Sequence, residues 1–230
     1  RVKGEFPNTS AAQFIPTEYA SAARGRKLDP ASYAFAPSII GVDPAWSGED
    51  EIAIFWRKGY ASKLLACYKK IENDLVVAGY IAQFEDEYKA DAVFIDMGYG
   101  TGIVSAGKAM KRSWTLVSFA SESNDPGFLN KRGQMWNDMK KWLHDGGSTP
   151  DDPVLEEELI SPEYYVKLNG KIVLEAKADM KKRGLRSPNR ADALALTFAF
   201  PVKPKDFRLP QVRGADINTY ANNSFDPMNY

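Results

Sequence analysis

The sequence predicts one α/β domain built on a mixed β-sheet, and three observations predict it. Two short β-branched runs, residues 38–43 (Ser-Ile-Ile-Gly-Val-Asp) and 91–96 (Asp-Ala-Val-Phe-Ile-Asp), each end in an aspartate. Between them lie two more strand-like segments and a helical one, so the two runs are joined by a crossover and can pair in parallel. Further strands and helices alternate after them. With 230 residues, 44% hydrophobic and 26% charged, the chain carries apolar material for one good-sized domain.

In chain order, residues 1–37 are rich in Pro, Ser and Ala and read as a linker that packs on the domain, with one short helix from Thr17 to about Lys27. The chain opens without a methionine, so a longer polypeptide is expected. The domain itself is expected over 38–200. Residues 51–57 and 61–68 read as strands joined by Lys58-Gly59, completing a three-strand antiparallel meander with 38–43. Asn73 or Asp74 can cap a helix running to Lys89, because Val76, Tyr80, Ile81, Phe84 and Tyr88 recur at helical spacing. After the 91–96 strand come a glycine-rich stretch at 97–102, a helix to about Lys111, a strand at 114–119 and a long helix at 128–144. An acidic helix at 151–159 precedes a hairpin at 164–174, which turns at Asn169-Gly170. The last helix, 188–200, carries Ala191, Leu194, Ala195 and Phe198 as its apolar stripe. Residues 201–230 have no periodicity and read as an extended tail.

Thirty basic and thirty acidic residues cancel, which argues against a DNA binder working by charge alone. Local patches can still grip phosphates. Lys177, Lys181, Lys182, Arg183, Arg186 and Arg190 face one acid, Asp179, within a short stretch, and Lys181, Lys182, Arg183, Arg186 and Arg190 are the expected DNA contacts. No run approaches the roughly 18 apolar residues of a membrane helix, and the first eight residues lack the apolar middle of a signal peptide. A soluble intracellular protein with no membrane partner is expected. One cysteine, Cys67, and one histidine, His144, leave no disulfide and no Cys/His zinc site. Cys67 reads as a small core residue, and His144 as a cation at a helix C-terminus.

Asp43 and Asp96 both sit at strand carboxyl ends, where open α/β sheets bind their ligands. Neighbouring strands are about 4.8 Å apart, so the two carboxylates come within reach of one cation. Unneutralised, they repel. Asp192 enters from the first turns of the last helix, on a face otherwise apolar from Ala191 to Leu196, where an unpaired carboxylate is costly. Three carboxylates select hard ions, Mg²⁺ or Mn²⁺, over zinc. Taken singly, an aspartate at a strand end is more often a turn former or a helix cap. It is the joint pattern that points to metal chemistry, and two ions about 4 Å apart would suit hydrolysis of a phosphodiester. Removal of one carboxylate is expected to relieve repulsion, leaving the fold as stable as before or more so.

These residues resemble a known family. Ile39-Ile40-Gly41-Val42-Asp43 with Gly48-Glu49-Asp50, Phe94-Ile95-Asp96 with Gly98 and Gly100, and the run from Ser187 to Leu194 resemble the nuclease half of tailed-phage large terminase subunits. Gly4-Glu5-Phe6-Pro7 resembles the junction that follows the ATPase half. The resemblance spans about residues 1–200. It implies an RNase H-like fold: a three-strand antiparallel meander plus parallel strands, flanked by helices, with an added β-hairpin. It also implies a two-metal endonuclease cutting concatemeric viral DNA in the host cytoplasm. Asp43, Asp96 and Asp192 carry over as its catalytic and metal-binding residues. Asn189 stands where related enzymes place an Asp or His, and an amide binds metal but cannot act as a base. Asp50 and Lys177 are further candidates; Lys177 could approach the scissile phosphate or stand as a solvated charge. The partners implied are double-stranded DNA, the ATPase domain of the same polypeptide, the small terminase subunit and the portal. The hairpin is expected to regulate DNA access.

Two other readings compete. A kinase or actin-like ATPase also uses a Gly-x-Asp strand end, but those chains repeat the fold and one copy is visible here. A non-catalytic module docking a motor or portal would leave the aspartates without work. The stretch from Gly102 to Lys108 imitates a phosphate-binding loop, yet Ala109 stands where the hydroxyl residue is required, so it reads as a chance match within a helix. Trp46 and Tyr99, beside the aspartates, could touch DNA or belong to the core.

Overall fold

A computed structural model describes residues 12–44, 51–69, 71 and 73–205. In chain order these form β1 (Ala12–Gln13), α1 (Thr17–Ala23), β2 (Ser38–Asp43), β3 (Glu51–Lys58), β4 (Ala61–Lys69), α2 (Asp74–Glu87), β5 (Ala92–Asp96), α3 (Met97–Ala109), β6 (Thr115–Val117), α4 (Lys131–His144), α5 (Pro153–Ile160), β7 (Glu163–Val166), β8 (Ile172–Leu174), α6 (Lys177–Lys182) and α7 (Asn189–Leu196). A 3₁₀ turn occupies Pro30–Tyr33.

The central sheet runs β4-β3-β2-β5-β6. β2, β3 and β4 are the antiparallel meander; β5 joins β2 in parallel and β6 joins β5 in parallel. This is the expected mixed sheet. Val42 lies opposite Ile95 in the parallel pair, which makes Asp43 and Asp96 neighbours at the same carboxyl edge. Side chains alternate between faces along a strand, so Ile40, Val42, Val93 and Ile95 pack with Val77 and Ile81 of α2 and Ile103 of α3. Ile39 and Phe94 face the other way, toward α1, α4, α5 and α7. Asp43 and Asp96 share that second face, the one covered by α7.

Gly41 sets how closely α7 lies on β2. A Cβ there would stand 2.1 Å from the carbonyl oxygen of Ala193 and 3.0 Å from Leu196 Cβ, both in α7. Gly41→Ala must push the helix off the strand, and overpacking of this kind costs about 1–3 kcal/mol. Urea denaturation should find the unfolding free energy lowered by that amount, as an earlier midpoint without a change in slope.

The hairpin forms where expected. Its turn has Gly170 at φ 79°, in the left-handed region, and the Gly170 amide donates to the Lys167 carbonyl at 2.8 Å. It is not alone: β1 pairs with β7 and makes a three-stranded sheet, β1-β7-β8. Phe14 and Ile15 follow β1 into the core, at 3% and 0% exposure. The described part of the segment before β2 therefore contributes a strand and core side chains.

Three local readings differ. The helix expected after the glycine-rich stretch already begins within it: α3 starts at Met97 and takes in Gly98, Gly100 and Gly102. Close packing explains the last of these: a Cβ at Gly102 would sit 1.8 Å from Asp74 Oδ2 of α2. As expected, the phosphate-loop look-alike ending at Lys108 is helical throughout. The basic stretch contains an unexpected helix, α6, and the last helix is shorter than expected, ending at Leu196. From Ala191 to Leu196 every residue of α7 is buried, on all sides rather than along one stripe, because the helix lies between the sheet and α4 and α5. Among the described residues no helix is long and apolar enough to cross a membrane.

Candidate active site

Parallel pairing brings Asp43 and Asp96 to one edge of the sheet, and α7 lays Asp192 against the same face. Asp43 is 2% exposed and Asp192 is fully buried. Lys177, the first residue of α6, stands between them: its ammonium donates to Asp43 Oδ2 at 2.8 Å and lies 3.1 Å from Asp192 Oδ2. Lys177 is therefore not a freely solvated charge, since its ammonium is paired with both carboxylates. The chain places a cation where two buried carboxylates converge.

The electrostatics follow from burial. Desolvation pushes the Asp43 carboxyl up, and the nearby charges of Asp192 and Asp96 add to the rise, while Lys177 opposes it. Asp96 is also raised, by burial first, with Lys177 and the amides of Gly98 and Met97 pulling the other way. Asp192 behaves oppositely: burial would raise it, but Arg132 and Lys177 outweigh burial and hold it below the usual carboxylate range. Burial works against the Lys177 ammonium, but Asp43 and Asp192 overcome it and keep the lysine protonated.

Arg132 and Trp136, one turn apart on α4, are the partners of Asp192 that sequence reasoning missed. Arg132 Nε donates to Asp192 Oδ1 at 3.0 Å and Nη2 to Oδ2 at 3.3 Å, while Trp136 Nε1 donates to Oδ1 at 2.7 Å. A signal existed. Lys131 and Arg132 open a helix, where the macrodipole disfavours cations, so their positions need a cause outside the helix.

Asn189 begins α7 and is buried, at 8% exposure. Asp50 and Trp46 lie outside the described residues. Tyr99 is 45% exposed on α3. Cys67 is half-buried rather than core, with its thiol donating to Glu51 Oε2 at 3.0 Å. His144 does end α4, beside Asp145 at 2.9 Å.

The expected basic patch is partly neutralised, by Asp179 within the stretch and by acids the sequence does not place nearby. Arg183 is paired with Glu163 and with Glu175, the latter at 3.2 Å; Lys182 with Asp179 at 2.7 Å; and Arg190 with Asp152 at 2.7 Å and Glu51 at 3.5 Å. Lys181 and Arg186 are exposed.

Glu158 of α5 stands behind α7. It is 9% exposed, and its carboxylate accepts from the Ala191 amide at 3.0 Å. Burial raises it to about 8, against the pull of that amide and of Arg190. The folded state thus holds a proton that the unfolded chain releases near the ordinary carboxylate value, so this group's stabilisation is complete at low pH and is lost as pH rises toward 8. Melting temperatures across that range should fall more steeply for the natural chain than for Glu158→Gln.

An RNase H-like sheet with carboxylates at the carboxyl ends of adjacent parallel strands, and a third from the helix covering them, is the class that fold and site define. No family model matches the chain, and no curated protein matches it. Solved structures do. The nuclease domain of the large terminase subunit gp2 of bacterial virus Sf6 is 23% identical with a TM-score of 0.68, covering 83% of this chain and 100% of that one. The large terminase nuclease of thermophilic phage G20c, with bound magnesium, is 16% identical with a TM-score of 0.59, covering 82% and 98%. The nuclease domain of Thermus phage P74-26 large terminase is 14% identical with a TM-score of 0.54, covering 79% and 93%. The chain shares the fold of these terminase nuclease domains.

Proposed function

We propose that the chain is a metal-dependent endonuclease domain that cuts concatemeric double-stranded DNA during viral genome packaging, with Asp43, Asp96 and Asp192 as its metal-binding residues. The observation that carries this reading is the Lys177 ammonium held between two buried carboxylates. Buried acids converge there at the cost of desolvation, a cost that a bound cation offsets.

Among the described residues, no three of His, Cys, Asp and Glu are grouped as a bound ion requires, and the lysine stands in their midst. The donor set nonetheless fits. Carboxylate oxygens, without sulfur or imidazole, suit Mg²⁺ or Mn²⁺. The similar domains have been solved with magnesium and, for a gp2 variant, with manganese. A pair of such ions, when bound, supplies charge stabilisation and an activated water for phosphodiester hydrolysis.

The chain's own residues do the rest. Asp43 and Asp96 project from fixed strand ends, Asp192 is oriented by Arg132 and Trp136, and Asn189 and Asp50 are auxiliary oxygen donors. Lys177, once released by the carboxylates, is placed to meet a phosphate oxygen. Lys181 and Arg186 are exposed and suited to the DNA backbone, and Lys182, Arg183 and Arg190 can join them by exchanging acid partners for phosphates. The partners proposed are an ATPase domain of the same polypeptide, the small terminase subunit and the portal, in the host cytoplasm.

Supercoiled plasmid incubated with the chain and Mn²⁺ or Mg²⁺ should be nicked and linearised, and chelator should stop it. Intact plasmid together with nucleotide binding would instead favour the kinase-like reading.

A further inference from the structure

We infer that Arg132 is a positioning residue that, with Trp136, fixes the Asp192 carboxylate so that only one edge of Oδ2 is left for a bound cation. The inference rests on the nuclease reading and deepens it.

Both oxygens of Asp192 are occupied. Oδ1 accepts from Trp136 Nε1 at 2.7 Å and Arg132 Nε at 3.0 Å, so its two acceptor positions are taken by donors fixed in the core. Oδ2 accepts from Arg132 Nη2 at 3.3 Å, and its other side meets the Lys177 ammonium at 3.1 Å. Three of these four donors sit on α4, in residues only 7% exposed for Arg132 and 0% for Trp136. The fourth, Lys177, has a side chain one third exposed and is the one that can leave. When it does, a single direction at Oδ2 opens, toward Asp43.

The third nitrogen of Arg132 extends the constraint. Nη1 donates to the Glu175 carbonyl at 2.8 Å, at the junction between β8 and α6, two residues before Lys177. One planar guanidinium therefore sets both the carboxylate and the backbone from which the lysine extends. The base of the hairpin is tied to the same helix: the Leu129 amide, just before α4, donates to the Ile172 carbonyl of β8 at 3.0 Å. Partners that orient metal-binding side chains typically change metal affinity or activity by about 10–100-fold when removed.

The test uses Arg132→Lys, which keeps the charge and loses the fork, and Trp136→Phe, which removes one N–H. Calorimetric titration of the 230-residue chain with Mn²⁺ should show dissociation constants raised about 10–100-fold in Arg132→Lys and about tenfold in Trp136→Phe. The cleavage kcat should fall in parallel while KM for DNA stays constant, and Arg132→Lys should retain more of both than Arg132→Gln. Wild-type Mn²⁺ affinity and kcat in folded variants whose only change is a lower Tm would overturn the inference. If Arg132→Lys does not fold, Trp136→Phe decides alone. Failure of the natural chain to bind Mn²⁺ or cut DNA would sink the nuclease reading instead. The positioning claim is then read from metal-free crystals of Trp136→Phe, where a displaced Asp192 carboxylate supports it and an unmoved one refutes it.

Discussion

Asp43→Asn is expected to lower plasmid cleavage by about 10³-fold, the effect of losing several kcal/mol of metal-based stabilisation of the reacting phosphate, while leaving the fold intact. The stability half of this expectation comes from the environment of the side chain. Asp43 is 2% exposed and its carboxyl is raised by burial, so the folded protein carries its charge at a cost. An amide of the same shape removes that cost. Lys177 loses one acceptor but keeps Asp192 at 3.1 Å. Thermal melting near neutral pH should therefore give a Tm equal to or above that of the natural chain. A large drop in Tm with cleavage retained would mean that Asp43 is structural.

Asp192→Ala should behave differently, although sequence alone predicts the same relief of repulsion for both. Removing Asp192 leaves Arg132, with its side chain 9% exposed, without the carboxylate that neutralises it and strands the buried Trp136 N–H. Breaking one side of a buried ion pair costs about 3–5 kcal/mol. Loss of cleavage should come with a lowered denaturation midpoint. Replacing both partners by apolar residues, Arg132→Met with Asp192→Leu, should recover part of the stability and none of the cleavage, since no charge is then buried unpaired. Equal stability of Asp43→Asn and Asp192→Ala would show that the Arg132 pair contributes nothing.

What could be read from the sequence was set by local pattern. Ser38–Asp43 and Ala92–Asp96 announced themselves as apolar runs ending in a charge, and the segment joining them fixed their parallel pairing, so the neighbouring positions of Asp43 and Asp96 followed. Asp192 was legible as a carboxylate too costly to stand alone in an apolar helix. Its actual partners were not. Arg132 is 60 positions away and reaches it only because α4 and α7 pack side by side, a tertiary fact with no local signature. The same holds for β1, two residues long, whose strand conformation comes from docking on β7. The glycines after Asp96 read as a stretch ahead of the next helix, but α3 takes them in, and close packing on Ile95 and Asp74 leaves no room for a Cβ at Gly100 and Gly102. Acids distant in sequence, Glu163, Glu175 and Asp152, claimed arginines that the linear charge pattern left free.

If Asp43, Asp96 and Asp192 bind divalent cations at the place where Lys177 now stands, crystals soaked in Mn²⁺ should show it by anomalous diffraction. Manganese peaks are expected in contact with oxygens of Asp43, Asp96 and Asp192 Oδ2, with the Lys177 ammonium moved away and Arg132 still on Asp192. Crystals saturated with Mn²⁺ in which no peak lies among these carboxylates, and Lys177 still bridges Asp43 and Asp192, would contradict it.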